Sequence, residues 1–361
     1  MKAAVLRETK KPLQIEDVQI SKPGPREVLI RTVAAGICHS DLHIADGLYP
    51  QALPCILGHE SAGIVEAVGA DVRYVVPGDH VITCLSVFCG HCEHCLTGNM
   101  ARCVSQDLRR DKSDTPRLTK DGQLMHQFIN MSSYAEMMLV HEHAIVKVRK
   151  DMPLDRAALI GCGVMTGVGA VFHTAKVEPG STVAVIGCGG IGLSAINGAA
   201  LAGAGRIIAI DVVGSKLNLA KEFGATDVIN GKDSDVIKMV RDMTDGGVHY
   251  SFEAIGLKQT AEQAFKMVRS GGTATIIGMI PVGTKIEIHG AELLQEKKLQ
   301  GSNMGSNRFR VDMPRLVDFY LAGKLKLDQM ISSTIALKDI NEGFDTLRKG
   351  EVARQIIRFD S

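Results

Sequence analysis

The chain has 361 residues, a length that predicts two domains, or three at most. Its hydrophobic content of 45% and charged content of 22% are ordinary for a globular protein and exclude a disordered or fibrous chain. The formal net charge is +1 and no long basic run occurs, so we expect no nucleic-acid partner. The one short basic group, Arg109, Arg110 and Lys112, is interpreted as a solvated surface loop.

The first residues, 1–7, reach charged side chains before any long apolar run, so we expect no secretory signal and a cytoplasmic location. Residues 183–210 are strongly apolar and could be mistaken for a membrane helix. Glycines punctuate this stretch, which divides into β-branched, Gly/Ala-rich and β-branched thirds. We therefore predict strand, helix and strand here, and no membrane partner.

In chain order, the part through about residue 155 is predicted to be β-rich, with strands at 28–33, 62–68 and 81–82. Residues 104–126 are polar without periodicity and are predicted to form a long surface loop. Further strands are predicted at 182–187, 206–211, 227–230, 250–254 and 273–278, and helices at 191–202, 216–223, 236–244 and 258–268. This alternation predicts a parallel sheet covered on both faces. The tail is predicted to contain a helix at 314–321 and a final strand at 355–359.

A glycine-rich segment links the first strand and helix of this alternating part. It consists of Gly187, Cys188, Gly189, Gly190, Ile191 and Gly192. The pattern G-x-G-x-x-G after a strand and before a helix is the dinucleotide-binding fingerprint. Gly187 would allow the tight turn, Gly189 would let the backbone approach the pyrophosphate, and Gly192 would let the helix pack on the strand. The alternative is a glycine-rich packing turn without a ligand.

Asp211 lies at the end of the next predicted strand, where the fingerprint places an acid that binds ribose hydroxyls. A carboxylate there repels a 2′-phosphate, so NAD is favoured over NADP. Lys216 either approaches the same ribose or is a solvated helix lysine.

Four of the nine cysteines form a compact group, Cys89, Cys92, Cys95 and Cys103. Four thiolates are the complete tetrahedral set of a structural zinc site. An iron–sulfur cluster is the rival, but the bacterial ferredoxin run has its fourth cysteine after three residues and before a proline. Here the last gap is seven residues and Val104 follows, so zinc is predicted.

Three more potential ligands, Cys38, His59 and Cys162, are scattered, and each by itself is more often a buried or hydrogen-bonded residue. The whole pattern nevertheless resembles the zinc-containing medium-chain alcohol dehydrogenases over essentially the full length. The resemblance is carried by Cys38-His39-Ser40-Asp41-Leu42-His43, Gly58-His59-Glu60, the four-cysteine loop, Gly161-Cys162-Gly163, the glycine fingerprint with Asp211, and Gly350-Glu351-Val352-Ala353-Arg354.

The resemblance implies an α/β protein with a GroES-like, β-rich catalytic domain (1–163 and 304–361) and a Rossmann doubly wound parallel-sheet cofactor domain (164–303). It implies two Zn²⁺ ions per chain and NAD. Cys38, His59 and Cys162 would hold the catalytic zinc with a fourth position open, as such a site requires.

The resemblance also assigns roles to the surrounding residues. Asp41 would orient His59, and Glu60 would either exchange transiently with a ligand or pair with Arg354. The implied cofactor contacts are His39 and Arg354 at the pyrophosphate, Thr166 at the nicotinamide, and Ile277. Zinc would act as a Lewis acid on the alcohol, whose proton would leave through Ser40, a ribose hydroxyl and His43.

Leu85 and Phe128 fall where the family lines an apolar substrate pocket, so primary or secondary alcohols and their aldehydes or ketones are expected. The glutathione-dependent formaldehyde dehydrogenase branch is a related alternative. Residues 49–51 (YPQ) and His43 depart from that branch, which has acids and a tyrosine there. The pattern is closer to the bacterial type assayed with a nitroso-dimethylaniline acceptor.

Three other classes stay open at this point. They are a non-catalytic relative, a zinc-ribbon nucleic-acid module fused to a Rossmann domain, and a zinc-free reductase of the same fold. The segment from Val104 to Gln127 resembles the liver-like branch, so a homodimer is expected, with a homotetramer as the alternative.

Overall fold

The computed structural model describes residues 1–105, 108–111, 113–233, 235–350 and 352–359. The chain forms two compact units, 1–162 with 308–361, and 163–307. The sequence placed the second boundary four residues earlier, between 303 and 304. Residues 304–306 belong to the second unit because they pack on its helices, where a Cβ on Gly305 would lie 2.4 Å from the Met165 carbonyl oxygen.

The bounds of the regular elements are as follows. The strands are β1 (Lys2–Leu6), β2 (Gln14–Asp17), β3 (Gln19–Ile20), β4 (Glu27–Gly36), β5 (Cys55–Ile56), β6 (Ser61–Val68), β7 (His80–Thr83), β8 (Leu118–Lys120), β9 (Gln123–Leu124), β10 (His126–Gln127), β11 (Met137–His141), β12 (Ile145–Val148), β13 (Thr182–Ile186), β14 (Arg206–Asp211), β15 (Asp227–Asn230), β16 (Val248–Glu253), β17 (Val268–Ile276), β18 (Lys298–Gly301), β19 (Ile331–Ile335) and β20 (Arg354–Arg358). The α-helices are α1 (His39–Ala45), α2 (Glu93–Leu96), α3 (Leu154–Leu159), α4 (Met165–Gly169), α5 (Gly190–Leu201), α6 (Gly214–Glu222), α7 (Val236–Met243), α8 (Lys258–Met267), α9 (Phe309–Leu321) and α10 (Ile340–Lys349). Short 3₁₀ turns occur at Met100–Arg102, Glu142–Ala144, Gly290–Gln295, Met304–Ser306, Asp328–Met330 and Leu337–Asp339, and π-helical turns at Ile160–Val164 and Ala170–Ala175.

The first unit is built on sheets. The largest runs β12-β7-β6-β4-β20-β19, with β11 also paired to β4, and a second runs β10-β5-β1-β2. Strand β4 lies at the centre and is antiparallel to β6, β11 and β20. From Val28 to Ala34 its side chains alternate between buried and half-buried, as expected for a strand with one face on the core. The C-terminal strand β20 therefore pairs with β4, the strand that leads to Cys38 and α1.

The second unit is a six-stranded parallel sheet in the order β15-β14-β13-β16-β17-β18. Helices α5 to α8 alternate with its strands along the chain, as the sequence predicted. The order reverses between β13 and β16, so the carboxyl ends of these two strands form the switch point at which such sheets bind ligands. The glycine-rich segment 187–192 follows β13 directly.

One helical stretch, Leu154–Ala175, was not predicted. Its mean hydropathy of 1.5 and its length make it the one helix in the described residues that could cross a membrane by composition, but 83% of its apolar window is buried. A buried core helix passes the same test, so this is weak evidence for a membrane span. The stretch escaped prediction because a helix that is apolar on every side shows no helical periodicity.

Other predictions were wrong in detail. Within the predicted loop 104–126, β8 and β9 form a hairpin around Asp121 and Gly122, both with positive φ. Asp-Gly is the residue pair that such tight turns favour. Helix α9 begins at Phe309, five residues before the predicted start, and continues through Pro314.

The basic group at 109–112 also differs from the prediction. The side chain of Arg110 is only 17% exposed, because its guanidinium donates to Glu27 and Ser21 and to the Lys22 and Thr115 carbonyls. It ties this loop to the start of β4. Lys112, like Glu351 of the C-terminal motif, lies outside the described residues.

Candidate functional site

The three scattered ligand candidates meet in the first unit. Cys38 is the residue before α1 and lies two residues after the end of β4, His59 immediately precedes Glu60 and β6, and Cys162 lies in the π-helical turn Ile160–Val164. All three side chains are buried, and the cysteine sulfurs and a His59 ring nitrogen lie within 4.8 Å of one another. The structure therefore places two sulfurs and one imidazole at a common point.

The ring of His59 is oriented by Asp41. Asp41 Oδ1 lies 3.1 Å from His59 Nδ1 and also accepts from the Gly58 backbone N–H at 2.8 Å. Because a carboxylate accepts hydrogen bonds, Nδ1 carries the proton and Nε2 keeps its lone pair. Nε2 faces the Cys162 sulfur at 3.2 Å. The free lone pair therefore points at the other two ligand candidates.

Gly58 is required for this arrangement. Its φ of +92° is unfavourable for other residues, and a Cβ there would lie 2.6 Å from the Tyr134 backbone nitrogen. Any other residue at position 58 would strain the backbone that leads to His59 and would clash with residue 134.

The donor set fits zinc. Zinc bonds of about 2.0–2.3 Å to nitrogen and sulfur require ligand atoms within a few ångströms of one another, which the 4.8 Å limit satisfies. The hydrogen bond between the two thiols lowers the pKa of Cys38 well below its ordinary value and raises the pKa of Cys162. Cys38 therefore carries the first thiolate charge, and three protein ligands leave a fourth position, as in catalytic zinc sites.

A buried ion pair adjoins these residues. Arg354 Nη2 lies 3.8 Å from Glu60 Oε2, and both side chains are almost completely buried. Burial opposes the charge of Arg354, but Glu60 and the two site cysteines raise its pKa overall. This is one of the two roles that the sequence left open for Glu60. The pyrophosphate contact implied for Arg354 stays a prediction.

The other residues assigned to catalysis lie on or near α1. Ser40 Oγ is 3.8 Å from Cys38 Sγ, and His43, half-buried, lies one helical turn further on. His43 Nδ1 is buried and lacks a hydrogen-bond partner in the described part of the chain. His39, at the start of the helix, is exposed. The arrangement leaves a buried nitrogen available to a hydrogen-bonding ligand.

The two predicted pocket residues have different neighbours. Phe128 packs edge-on against His59, with ring centroids 5.6 Å apart, and is buried. Leu85 is half-buried and lines a cavity of 140 Å³ together with Cys103 and Asn130. Phe128 is thus the apolar group in direct contact with a ligand candidate.

The four cysteines of the 89–103 loop also converge. Sulfur–sulfur distances are 3.5 Å for Cys92–Cys95 and 3.9 Å for both Cys89–Cys95 and Cys92–Cys103. Zinc–sulfur bonds of about 2.3 Å place the sulfurs of a regular tetrahedron roughly 3.8 Å apart. Backbone N–H groups of Cys89 and Cys92 also point at sulfurs of the cluster at 3.3 Å. The cluster therefore fits a structural zinc ion, and the nine cysteines are all free thiols.

In the second unit, the glycine-rich segment has the geometry of a phosphate cradle. A Cβ on Gly192 would lie 1.7 Å from the Gly187 carbonyl oxygen, so α5 packs directly against the turn. Gly187 itself has a φ of +96°, whereas a Cβ on Gly189 would meet nothing within 4 Å. The open space borders the N-terminus of α5 at Gly190, with Ile191 one residue on, where unpaired N–H groups attract phosphate. These residues fit a dinucleotide.

Asp211 ends β14 beside this turn. Its carboxylate accepts from the Cys188 N–H at 2.7 Å and the Val213 N–H at 2.9 Å, which holds the negative charge at the glycine turn. Burial and the charge of Asp211 raise the pKa of the Cys188 thiol to about 12, and Lys216, in α6, lies close enough to oppose part of this rise. In this fingerprint an acid at the end of this strand binds the ribose hydroxyls of the cofactor. The negative charge of Asp211 therefore lies where it would repel a 2′-phosphate.

The remaining two cofactor candidates also lie in the second unit. Thr166, on α4, is buried and donates to the Met304 sulfur at 3.3 Å. Ile277 directly follows β17, on the carboxyl side of the sheet, and its N–H donates to the Glu253 carbonyl at 2.8 Å. Their cofactor contacts stay predictions.

Sequence reasoning missed Tyr134. Its hydroxyl donates to Asp41 Oδ2 at 2.9 Å, so it belongs to the group that holds His59. Nothing in the spacing of a tyrosine so far from Asp41 could have indicated the contact. The π-helical turn that carries Cys162 was also missed, although such turns are frequent at functional sites.

Comparison with known proteins connects both units to one family. Residues 24–150 match the family model of the alcohol dehydrogenase GroES-like domain, and residues 190–322 match that of the zinc-binding dehydrogenases. The alcohol dehydrogenase zinc-binding domain protein from Burkholderia ambifaria is 38% identical, with 100% of this chain and 99% of that chain covered and a TM-score of 0.95. Benzyl alcohol dehydrogenase from Acinetobacter calcoaceticus is 36% identical, with 99% of each chain covered and a TM-score of 0.94.

A more distant solved structure is a zinc-binding dehydrogenase from Sinorhizobium meliloti bound to NADP. It is 27% identical, with 99% of each chain covered and a TM-score of 0.84. The predicted fold class, a GroES-like unit with a Rossmann unit, is confirmed by these matches and by the two sheets described above.

Proposed function

Because the chain belongs to the zinc-containing medium-chain alcohol dehydrogenase family, we propose that it is an NAD-linked dehydrogenase that interconverts a primary or secondary alcohol and its aldehyde or ketone. The observation that carries the proposal is the convergence of Cys38, His59 and Cys162, with His59 Nε2 directed at the sulfurs by Asp41. A non-catalytic relative would have no need of this oriented, buried ligand set.

When bound, zinc supplies a Lewis acid for the alcohol oxygen, and the nicotinamide supplies the hydride acceptor. The chain's own residues supply the rest. Cys38, His59 and Cys162 would hold the catalytic ion, while Cys89, Cys92, Cys95 and Cys103 would hold the structural one. Ser40 would receive the alcohol proton and a ribose hydroxyl of the cofactor would carry it on to His43, which would pass it to solvent. Burial lowers the pKa of His43 and keeps its imidazole neutral near pH 7.

For the substrate, we propose an apolar primary alcohol, with aromatic alcohols such as benzyl alcohol as the first class to examine. Two observations support this class. Phe128 presents an aromatic ring to His59, and a relative that is 36% identical over nearly its whole length is a benzyl alcohol dehydrogenase.

The direct test is a substrate panel of benzyl, aliphatic primary and secondary alcohols and S-(hydroxymethyl)glutathione, each with NAD and with NADP. We expect oxidation of benzyl alcohol with NAD, two zinc ions per chain by elemental analysis, and no activity on the glutathione adduct. Zinc-free protein with full activity would refute the proposal, as would the absence of activity on all of the benzyl, aliphatic primary and secondary alcohols.

Replacing His43 tests its role in proton transfer. We expect His43→Ala to lower kcat at pH 7 by at most about 100-fold, because solvent can partly replace a relay group. In the parent, kcat should fall as pH drops through the lowered pKa of His43, since the protonated ring cannot accept a proton. The variant should lose this acid-side decline and recover at high pH. A kcat–pH profile equal to that of the parent, or to that of the surface control His289→Ala, would contradict the relay.

Replacing Asp211 tests the cofactor preference. Two like charges about 4 Å apart repel by about 1 kcal/mol in water and about 4 kcal/mol near a protein surface. We therefore expect Asp211→Ala to raise the ratio of kcat/KM for NADP to that for NAD by about tenfold or more. The measurement is initial rates with both cofactors. An unchanged ratio would show that Asp211 serves only the turn, through its bonds to Cys188 and Val213.

We further propose that the chain forms a homodimer through the second unit. Strand β18 is at the edge of the parallel sheet, and the preceding segment exposes Val282 (75%), Leu293 (48%) and Leu294 (88%). An edge strand next to exposed apolar side chains is suited to pairing with a second copy. Light scattering should give the mass of a dimer, and a monomer or tetramer would contradict this.

A further inference from the structure

Tyr134 is a completely buried tyrosine whose hydroxyl faces the charged part of the candidate zinc site. The hydroxyl donates to Asp41 Oδ2 at 2.9 Å and lies 3.3 Å from the Gly36 carbonyl oxygen. Its ring packs edge-on against Phe344, with centroids 6.2 Å apart. The ring therefore belongs to the core of the first unit, while its one polar atom is directed at Asp41.

The two oxygens of Asp41 have different partners. Oδ1 receives the Gly58 N–H and the His59 Nδ1–H, whereas Oδ2 receives Tyr134, and the described residues offer Oδ2 no other hydrogen bond. Asp41 is fully buried, so water does not replace a lost donor. An unpaired oxygen on a buried carboxylate is costly, and the group would turn or shift to find a partner.

The backbone around Tyr134 holds it in register with His59. The Tyr134 N–H donates to the Leu57 carbonyl at 3.1 Å, and the Ser133 N–H donates to the Gly58 carbonyl at 3.0 Å. The tyrosine is thus attached to the segment that leads into His59. Burial and the nearby Asp41 raise the pKa of Tyr134 well above its ordinary value, so the hydroxyl keeps its proton and remains a donor.

We infer that Tyr134 is a positioning residue for the catalytic metal: its hydroxyl fixes the Asp41 carboxylate, which in turn fixes the ring of His59 toward the ion. The inference rests on the zinc site of the proposed function. It extends the chain of hydrogen bonds that orients the ligand by one residue, from His59 through Asp41 to Tyr134. Residues that support a metal ligand in this way typically contribute about 10- to 100-fold to metal affinity.

Tyr134→Phe tests the inference, because it deletes the hydroxyl and keeps the ring against Phe344. We expect one of the two metal ions to be released to a chelator about tenfold faster than in the parent, at the lower end of the range for such residues. The melting temperature of the loaded protein should change little. Cobalt(II) substitution identifies the ion, since a site with two thiolates and one imidazole absorbs differently from a site with four thiolates.

Tyr320→Phe is the matched control. Tyr320 also directs its hydroxyl at an aspartate, Asp328, at 3.2 Å, but this pair is far along the chain from every ligand candidate and is solvent-exposed. It should release metal at the parent rate. The effects of Tyr134→Phe and Asp41→Asn should not add in the double variant, because both act through the same carboxylate.

The inference is overturned if Tyr134→Phe releases both metals at the parent rate, if it accelerates only the four-cysteine site, or if its effect adds fully to that of Asp41→Asn. The outcomes also separate the two proposals. Faster metal loss without alcohol oxidation in any variant would refute the proposed function and keep the role of Tyr134. Normal alcohol oxidation with metal release at the parent rate in Tyr134→Phe would keep the proposed function and refute the role of Tyr134.

Discussion

Cys38→Ser should abolish alcohol oxidation and reduce the zinc content from two ions per chain to one. Serine oxygen is a poor replacement for a thiolate, and Cys38 is the cysteine whose pKa the site lowers through the hydrogen bond from Cys162. Without the ion, the Lewis acid is missing, and several kcal/mol of transition-state stabilisation correspond to a loss of roughly 1000-fold or more in kcat/KM. Elemental analysis and initial rates on one preparation measure both effects.

Cys55→Ser is the matched control for this result. Cys55 is as buried as Cys38 and lies in the apolar core of the first unit, but it is in neither ligand group. The control should keep both zinc ions and most of its activity. Near-normal turnover of Cys38→Ser with two ions still bound would remove Cys38 from the zinc site.

Gly192→Ala should prevent the second unit from folding normally. The new methyl carbon would lie 1.7 Å from the Gly187 carbonyl oxygen, and backbone atoms cannot yield as a flexible side chain does. Overpacking usually lowers the free energy of unfolding by about 1–3 kcal/mol. Because α5 would have to move away from the end of β13, we expect a loss of about 4 kcal/mol or more here. We expect aggregation on expression, or a melting temperature lower by roughly 10 °C.

Gly189→Ala separates this packing role from cofactor binding. A Cβ on Gly189 meets no atom within 4 Å, and the extended backbone there, with a φ of −77°, suits alanine. The protein should fold with a parent-like melting temperature but bind NAD at least about tenfold more weakly, because the methyl group occupies the phosphate side of the turn. Equal stability of the two variants would contradict the assigned packing contact, and unchanged NAD affinity of Gly189→Ala would contradict the cradle.

Local spacing was sufficient for two parts of this protein. The segment 187–192 and the cysteines at 89, 92, 95 and 103 are short motifs whose residues are neighbours in the chain, so their geometry follows from a turn or a loop. The alternating strands and helices of residues 182–276 were likewise predicted, because short β-branched runs, which the structure buries on both faces, alternate with longer helical stretches. Family resemblance added Cys38, His59 and Cys162, which no spacing rule connects.

Only the tertiary structure decided how those three residues are held. Asp41 reaches His59 because α1 lies beside residues 58–59, which lead into β6. Tyr134 reaches Asp41 because the backbone of residues 133–134 is hydrogen-bonded to that of residues 57–58. Arg110, interpreted from the sequence as solvated, instead joins its loop to the start of β4 through hydrogen bonds to Glu27. The helix at 154–175 showed no amphipathic pattern because it is buried on all sides. In each case the deciding contact joins residues distant in sequence, and its free energy exists only once the sheets have brought the two segments together.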